Sequence, residues 1–163
     1  EGLVAHVSMA HPTCNRLAEA AHACAREAGF PIKFGGTYLA MEGPQFSTRA
    51  ESRLYRQWGC DVIGMTNMPE AKLAKEAQMA YATLAMVTDY DCWHPKEAHV
   101  SADLAIANLM KNAGRAQAVA VEAVRTLGQE RPVSAAHTAL ASALVTQIEA
   151  MSEQTRQRLG VLL

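Results

Sequence analysis

Two aspartates one residue apart, Asp89 and Asp91, follow an apolar run that ends at Val87. On an extended segment, residues i and i+2 point to the same side with their Cα atoms about 6.6 Å apart, so both carboxylates can face one ligand. Four interpretations fit the tripeptide: a DxD metal site, acid–base catalysis with hydrogen-bond recognition, a surface cap, and a structural ion pair. The tripeptide alone does not separate them.

Two further segments carry polar or aromatic groups just beyond predicted strands. Residues 65–68, MTNM, precede a helix, where Thr66 and free backbone N–H groups suit an anion; capping by Asn67 is the alternative. Residues 43–47, GPQFS, lead into another helix, where Phe46 could stack on a flat ligand or serve as a hydrophobic staple. Ligands of α/β sheets bind beyond the carboxyl ends of the strands, so we expect all three segments to form one site.

Hydrophobic patterning predicts the elements that position these segments. The predicted strands are residues 3–9, 32–34, 37–41, 60–65 and 81–88, with a hairpin or bend at residues 35–36. The predicted helices are residues 15–28, a capping-box helix over 48–58, one capped by Asn67, and two long ones over 101–127 and 135–158, separated by a linker at 128–132. This alternation predicts an α/β domain with a largely parallel or mixed sheet.

Composition narrows the class of protein. The chain has 163 residues, 50% of them hydrophobic and 19% charged, which fits one globular domain. A net charge of −1 gives no electrostatic argument for a nucleic-acid partner or an anionic membrane. The four cysteines show no zinc-ligand spacing and are expected to be reduced thiols of a cytoplasmic protein. The chain begins at Glu1 without a methionine, so we expect a C-terminal piece of a longer protein.

Three segments taken together resemble a known family. MEGPQFSTRAES (41–52), DVIGMTNMPEAKLAKEA (61–77) and TDYDCWH (88–94) are similar to signature segments of the purine nucleoside phosphorylase family, in its methylthioadenosine-cleaving branch. The resemblance implies a three-layer αβα fold with a mixed sheet, of which residues 1–163 would be the C-terminal portion of a single domain. It also implies phosphorolysis, in which phosphate attacks the ribose C1′ and adenine leaves, in purine and methionine salvage. The alternatives are a broader purine nucleoside or methylthioinosine phosphorylase, or a non-catalytic purine-binding fragment.

The resemblance assigns a role to each matching position around the substrate. Asp89 would hydrogen-bond or protonate the purine N7, and Asp91 would accept a hydrogen bond from the 6-amino group. Phe46 would stack on the base, and Met65 would pack against the ribose. Thr66 would bind phosphate. An aspartate pair of this kind predicts preference for 6-aminopurines over 6-oxopurines.

Four other positions match the periphery of the family's site. Ser47 and Ala102 would tune specificity, and His6 and Leu162 would reach the site of a neighbouring subunit in a homotrimer. The resemblance implies no metal and no organic cofactor, with phosphate as a co-substrate, and no nucleic-acid or membrane partner. The family's other phosphate ligands, which include an Arg-His pair absent from this chain, lie in its N-terminal half. We therefore expect this chain alone to be inactive.

Overall fold

The computed structural model describes residues 2–94 and 101–163. The helices and strands are α1 (Asn15–Glu27), β1 (Tyr38–Ala40), α2 (Arg49–Gln57), β2 (Val62–Gly64), α3 (Asn67–Glu76), α4 (Ala102–Glu130) and α5 (Glu153–Leu159). Short 3₁₀ helices occupy Asp91–Trp93, Ala135–Thr138 and Ile148–Ala150. Within these described ranges, no helix is both long and apolar enough to cross a membrane.

The sheet that positions the site is a parallel pair. β1 and β2 are in register from Tyr38 opposite Val62 to Ala40 opposite Gly64. Just past the strands, the backbone N–H of Met41 donates to the carbonyl of Gly64 at 2.9 Å. Because parallel strands run in the same direction, the segments that follow β1 and β2 leave from the same edge.

The core lies where α1 packs on α4. Cys24 and Ala25 of α1 meet Val119 and Ala123 of α4, and all four side chains are buried. Partly buried side chains pack around this contact: Ala21, Phe30, Ile32 and Leu84. The distance between two packed helices depends on the side chains at the contact, so these small residues let the long α4 lie close to α1.

The predicted starts of two helices are confirmed by their caps. Thr48 Oγ1 accepts from the backbone N–H of Glu51 at 3.2 Å, and Glu51 Oε2 accepts from the backbone N–H of Thr48 at 2.7 Å. This is the capping box that the sequence predicts for α2. At the start of α4, Ser101 Oγ accepts from the backbone N–H of Leu104 at 3.2 Å.

The prediction that Asn67 caps α3 is wrong. Thr66 is the N-cap residue, and Asn67 is the first residue of the helix. Asn67 Oδ1 instead accepts hydrogen bonds from the hydroxyls of Tyr81, at 2.9 Å, and Thr83. Its side chain therefore joins α3 to residues 81–83, which is a tertiary role that local sequence does not reveal.

Three predicted strands are wrong within the described residues. Residues 3–9 form only one antiparallel bridge, between Ala5 and Leu144, and residues 81–88 belong to no strand. Residues 32–34 form no strand and do not pair with 37–41 as a hairpin, and the strand within 37–41 pairs with β2. An apolar alternating pattern detects an extended segment, but a strand also needs a hydrogen-bonded partner.

The prediction of one continuous helix over residues 135–158 is also wrong, because no helix forms between residues 139 and 147. Only its first and later parts are helical, and the carbonyl of Val4 accepts from the backbone N–H groups of Val145 and Thr146 at 2.9 and 3.3 Å. This pairing requires a non-helical backbone, so tertiary contact overrides helix propensity here. In addition, α4 runs to Glu130, beyond its predicted end, and is terminated by Arg131 with φ 43°.

Asp61, which directly precedes β2, is hydrogen-bonded to Thr37, which directly precedes β1. Its ionisation should make the free energy of unfolding depend on pH. It accepts hydrogen bonds from Lys33 Nζ at 2.5 Å and from the backbone N–H of Thr37 at 2.8 Å. The Lys33 bond, followed by the Thr37 bond, lowers the pKa of Asp61. A carboxyl whose pKa is lower in the folded state contributes stability above its unfolded pKa of about 3.9 and loses it as the pH falls through the folded pKa.

We expect Asp61→Asn to lower the urea midpoint at pH 7 and to differ progressively less from the unsubstituted protein below about pH 4. Urea denaturation at a series of pH values measures both curves. Glu149→Gln is the control, because Glu149 is exposed and forms no hydrogen bond or ion pair with a described side chain. A difference in urea midpoint between the two proteins that stays constant down to pH 3 would contradict this role of Asp61.

Candidate functional site

The segments that follow β1 and β2 are in direct contact at Gly43. Gly43 has φ 69°, and a Cβ atom placed on it would lie 2.5 Å from Met65 Sδ. A Cβ at this position would force the Met65 side chain to move, so glycine permits this close approach and also suits the left-handed backbone conformation. The Met65 side chain, which the resemblance places beside the ribose, therefore lies against the loop that carries Phe46 and Ser47.

The third segment joins the same cluster through Cys92. Cys92 Sγ donates to the carbonyl oxygen of Ser47 at 3.3 Å. The 3₁₀ helix Asp91–Trp93 also packs on α2, which begins directly after this loop. The structure thus brings together the three segments that the sequence places beyond strand ends.

Residues 89–93, here named the acidic turn, are held by their own hydrogen bonds. Asp89 Oδ1 accepts from the backbone N–H of Asp91 at 2.9 Å, and Asp89 Oδ2 accepts from Thr88 Oγ1 at 2.6 Å. The carbonyl of Thr88 in turn accepts from the side-chain amide of Asn108 on α4. Asp89 is therefore partly buried and fixed in orientation at the start of the turn.

Asp91 differs from Asp89 in both backbone and side chain. Its φ of 54° lies in the left-handed region, which costs a residue with a side chain about 1–2 kcal/mol. Its carboxylate forms no hydrogen bond to any residue in the described ranges, whereas both oxygens of Asp89 are engaged. Asp91 thus has acceptor capacity left for a ligand.

The remaining predicted ligand-binding residues border this cluster. Phe46 is 51% exposed, so its ring is open to a planar ligand. Ser47 Oγ contacts Met41 Sδ at 3.8 Å. Thr66 is exposed at the start of α3 and its side chain makes no capping hydrogen bond, which leaves both its hydroxyl and the helix N-terminus accessible to an anion.

Three of the predicted site residues, His6, Ala102 and Leu162, form no hydrogen bond with this cluster in the described ranges. The backbone N–H of His6 donates to the carbonyl of Ala143 at 2.8 Å, and the carbonyl of Leu162 accepts from Gln78 Nε2 at 3.2 Å. Ala102 is the exposed first residue of α4. In the part of the chain that the structure describes, no hydrogen bond connects these residues to the three segments.

A cavity of about 540 Å³ lies at a different place, between α1, α4 and residues 82–87. None of the predicted site residues lines it, and its walls include the core side chains Phe30, Ile32 and Val119. We therefore place the functional site on the surface formed by the three segments, where the reactive groups are. The described ranges contain no group of three His, Cys, Asp or Glu side chains placed to hold a metal ion.

The sequence gives no sign of the contact between Arg56 and the acidic turn. The guanidinium carbon of Arg56, at the end of α2, lies 3.8 Å from the ring centroid of Trp93 in the acidic turn. The resemblance includes Trp93 in the segment TDYDCWH, but Arg56 lies between the matched segments. No local spacing pattern connects two residues on separate segments.

Comparison with known proteins identifies the family of this fold. The sequence profile of the Phosphorylase superfamily matches residues 1–125. The S-methyl-5′-thioadenosine phosphorylase of Gloeobacter violaceus is 51% identical over 166 residues, covering 99% of this chain and 56% of the relative. That of Koribacter versatilis is 48% identical over 163 residues, covering 100% of this chain and 56% of the relative. The chain spans just over half the length of these relatives.

Solved structures agree with the sequence relatives. A methylthioadenosine phosphorylase from an antarctic soil metagenomic library superimposes with a TM-score of 0.90 at 58% identity, covering 100% of this chain and 58% of that one. The methylthioadenosine phosphorylase of Schistosoma mansoni in complex with adenine gives a TM-score of 0.79 at 30% identity, covering 88% of this chain and 57% of that one. The predicted α/β phosphorylase fold is confirmed, and the chain belongs to the Phosphorylase superfamily.

Proposed function

We propose that this chain carries the base-binding part of a phosphorylase that converts S-methyl-5′-thioadenosine and phosphate to adenine and 5-methylthioribose 1-phosphate. The observation that carries the proposal is the junction of the three segments, through Gly43 against Met65 and through Cys92 to Ser47. This junction joins the loop that carries the exposed Phe46 to a turn with two carboxylates. The relatives that bear this activity in their names support the same conclusion.

The leaving purine is the part of the reaction that these residues serve. As the glycosidic bond breaks, negative charge develops on the purine, and a proton delivered to N7 neutralises it. In our proposal Asp89 supplies this proton, and Asp91 accepts a hydrogen bond from the 6-amino group. The base stacks on Phe46, whose ring is exposed.

The sugar and the phosphate occupy the other side of the junction in our proposal. Met65 packs against the ribose, and phosphate binds at Thr66, where a free hydroxyl and the positive end of the α3 dipole favour an anion. Ser47 and Ala102 adjust specificity, and His6 and Leu162 contribute to a neighbouring site in a homotrimer. The enzyme would act in cytoplasmic purine and methionine salvage with phosphate as co-substrate and without a metal or organic cofactor.

The test is release of adenine from methylthioadenosine by the protein expressed from its complete gene, with and without phosphate. We expect release only with phosphate, together with formation of 5-methylthioribose 1-phosphate. Release without phosphate would indicate a hydrolase. Calorimetric binding of adenine without turnover would indicate a purine-binding protein, and loss of activity with a chelator would indicate a metal enzyme.

A further inference from the structure

The acidic turn contains two aromatic side chains, Tyr90 and Trp93, and is followed directly by His94. Tyr90 stacks on His94 with centroids 4.8 Å apart, and the edge of Trp93 meets Tyr90 at 5.9 Å with an interplanar angle of 81°. Tyr90 directly precedes Asp91, and Trp93 and His94 directly follow Cys92. The conformation of Asp91 therefore depends on where Trp93 is held.

Arg56 holds Trp93 from the side of α2. Its guanidinium lies over the indole at 3.8 Å, well within the distance at which a cation is attracted to an aromatic face. The planar guanidinium can both stack on the ring and interact with its π electrons, which the compact ammonium of lysine does less well. Arg56 forms no ion pair with any residue in the described ranges, so the indole is the partner that the structure gives it.

A neighbour of Arg56 shows that this part of α2 faces Asp91. Desolvation raises the pKa of Tyr55, and the carboxylates of Glu51 and Asp91 raise it further. The 3₁₀ helix Asp91–Trp93 packs directly on α2, which is the geometric basis of this effect. The end of α2 therefore lies close to the carboxylate that the proposed function assigns to the 6-amino group.

We propose that Arg56 is a positioning residue for purine selection, which acts by fixing Trp93 and thereby the orientation of the Asp91 carboxylate. This inference rests on the proposed function, because it assumes that Asp91 binds the 6-amino group. Arg56 itself contacts no substrate in this arrangement. Its loss should therefore reduce discrimination between 6-amino and 6-oxo substrates rather than abolish turnover.

The test compares kcat/KM for methylthioadenosine with kcat/KM for its 6-oxo analogue, methylthioinosine, in the complete protein. We expect Arg56→Gln to lower the ratio of the two by about fivefold, the upper size of a cation–π contact at an exposed site, and Arg56→Lys to restore part of it. Arg53→Gln is the matched control, because Arg53 is exposed on the same helix and contacts no aromatic ring in the described ranges. Its ratio should equal that of the unsubstituted protein.

A double-mutant cycle tests whether the effect passes through Asp91. In an Asp91→Asn background, Arg56→Gln should change the ratio by less than about twofold, since the carboxylate it positions is gone. An active Arg56→Gln protein with an unchanged ratio, or an equal loss on both substrates, would overturn this proposal and leave the proposed function intact. A protein that does not cleave methylthioadenosine with phosphate would overturn the proposed function itself.

Discussion

Replacing Asp89 with asparagine is expected to lower kcat for methylthioadenosine by about 10² or more, because removal of a general acid typically costs that much. The asparagine carbonyl can still accept from the backbone N–H of Asp91, as Asp89 Oδ1 does at 2.9 Å. The substitution therefore preserves the turn while removing the transferable proton. Steady-state kinetics with saturating phosphate measures the effect, and circular dichroism checks that the fold is unchanged.

A substrate that needs no proton separates catalysis by Asp89 from binding. An N7-methylated purine nucleoside carries its positive charge permanently, so the base leaves as a neutral molecule without protonation. We expect the activity ratio between unsubstituted protein and Asp89→Asn to be close to one with such a substrate. An Asp89→Asn protein that cleaves methylthioadenosine at near the original rate would rule out the proton-donor role.

The second large effect is expected at Asp91, where asparagine should change which purine is preferred. A carboxylate accepts from a 6-amino group but repels a 6-oxo group, whereas an amide can donate to the 6-oxo group. Hydrogen bonds to charged groups contribute about 1.5–3 kcal/mol, so kcat/KM for methylthioadenosine should fall by about 10- to 100-fold. The same Asp91→Asn substitution should raise kcat/KM for methylthioinosine.

The backbone of Asp91 makes asparagine the informative substitution. Asparagine tolerates the left-handed conformation that Asp91 adopts at φ 54°, so the turn should keep its shape. Asp91→Ala is the comparison, because alanine has no group for either purine and is strained at this φ. In competition assays with both substrates, Asp91→Ala should lower kcat/KM for methylthioadenosine without raising kcat/KM for methylthioinosine. A fall in kcat/KM for both substrates in Asp91→Asn would contradict purine selection by this side chain.

The convergence of the first two segments, after β1 and β2, could be predicted because it follows from a rule about sheets, whereas the acidic turn follows no strand and joins them through Cys92. Residues after the carboxyl ends of parallel strands share one edge, and Met65 and Gly43 follow strands that the structure shows to be parallel. The start of α2 was equally predictable, since the capping box of Thr48 and Glu51 is a local interaction. The family resemblance supplied the expected role of each side chain.

The contacts between distant segments could not be predicted from local patterns. Arg56 over Trp93 and Asn67 with Tyr81 are each set by packing of separate segments, and neither has a spacing signal. The non-helical stretch around Val145 has the same origin, because Val4 pairs with it. Propensity describes the preference of a segment in isolation, and tertiary hydrogen bonds outweighed it at these places.

The contact between Gly43 and Met65 also has a consequence for motion. The loop after β1 cannot move toward the sheet edge without displacing Met65, and Cys92 links the same loop to the acidic turn. Segments joined in this way open as one cooperative unit rather than independently. Backbone amides in all three segments should therefore exchange hydrogen at a common rate, and a ligand that contacts any one of them should slow exchange in the other two.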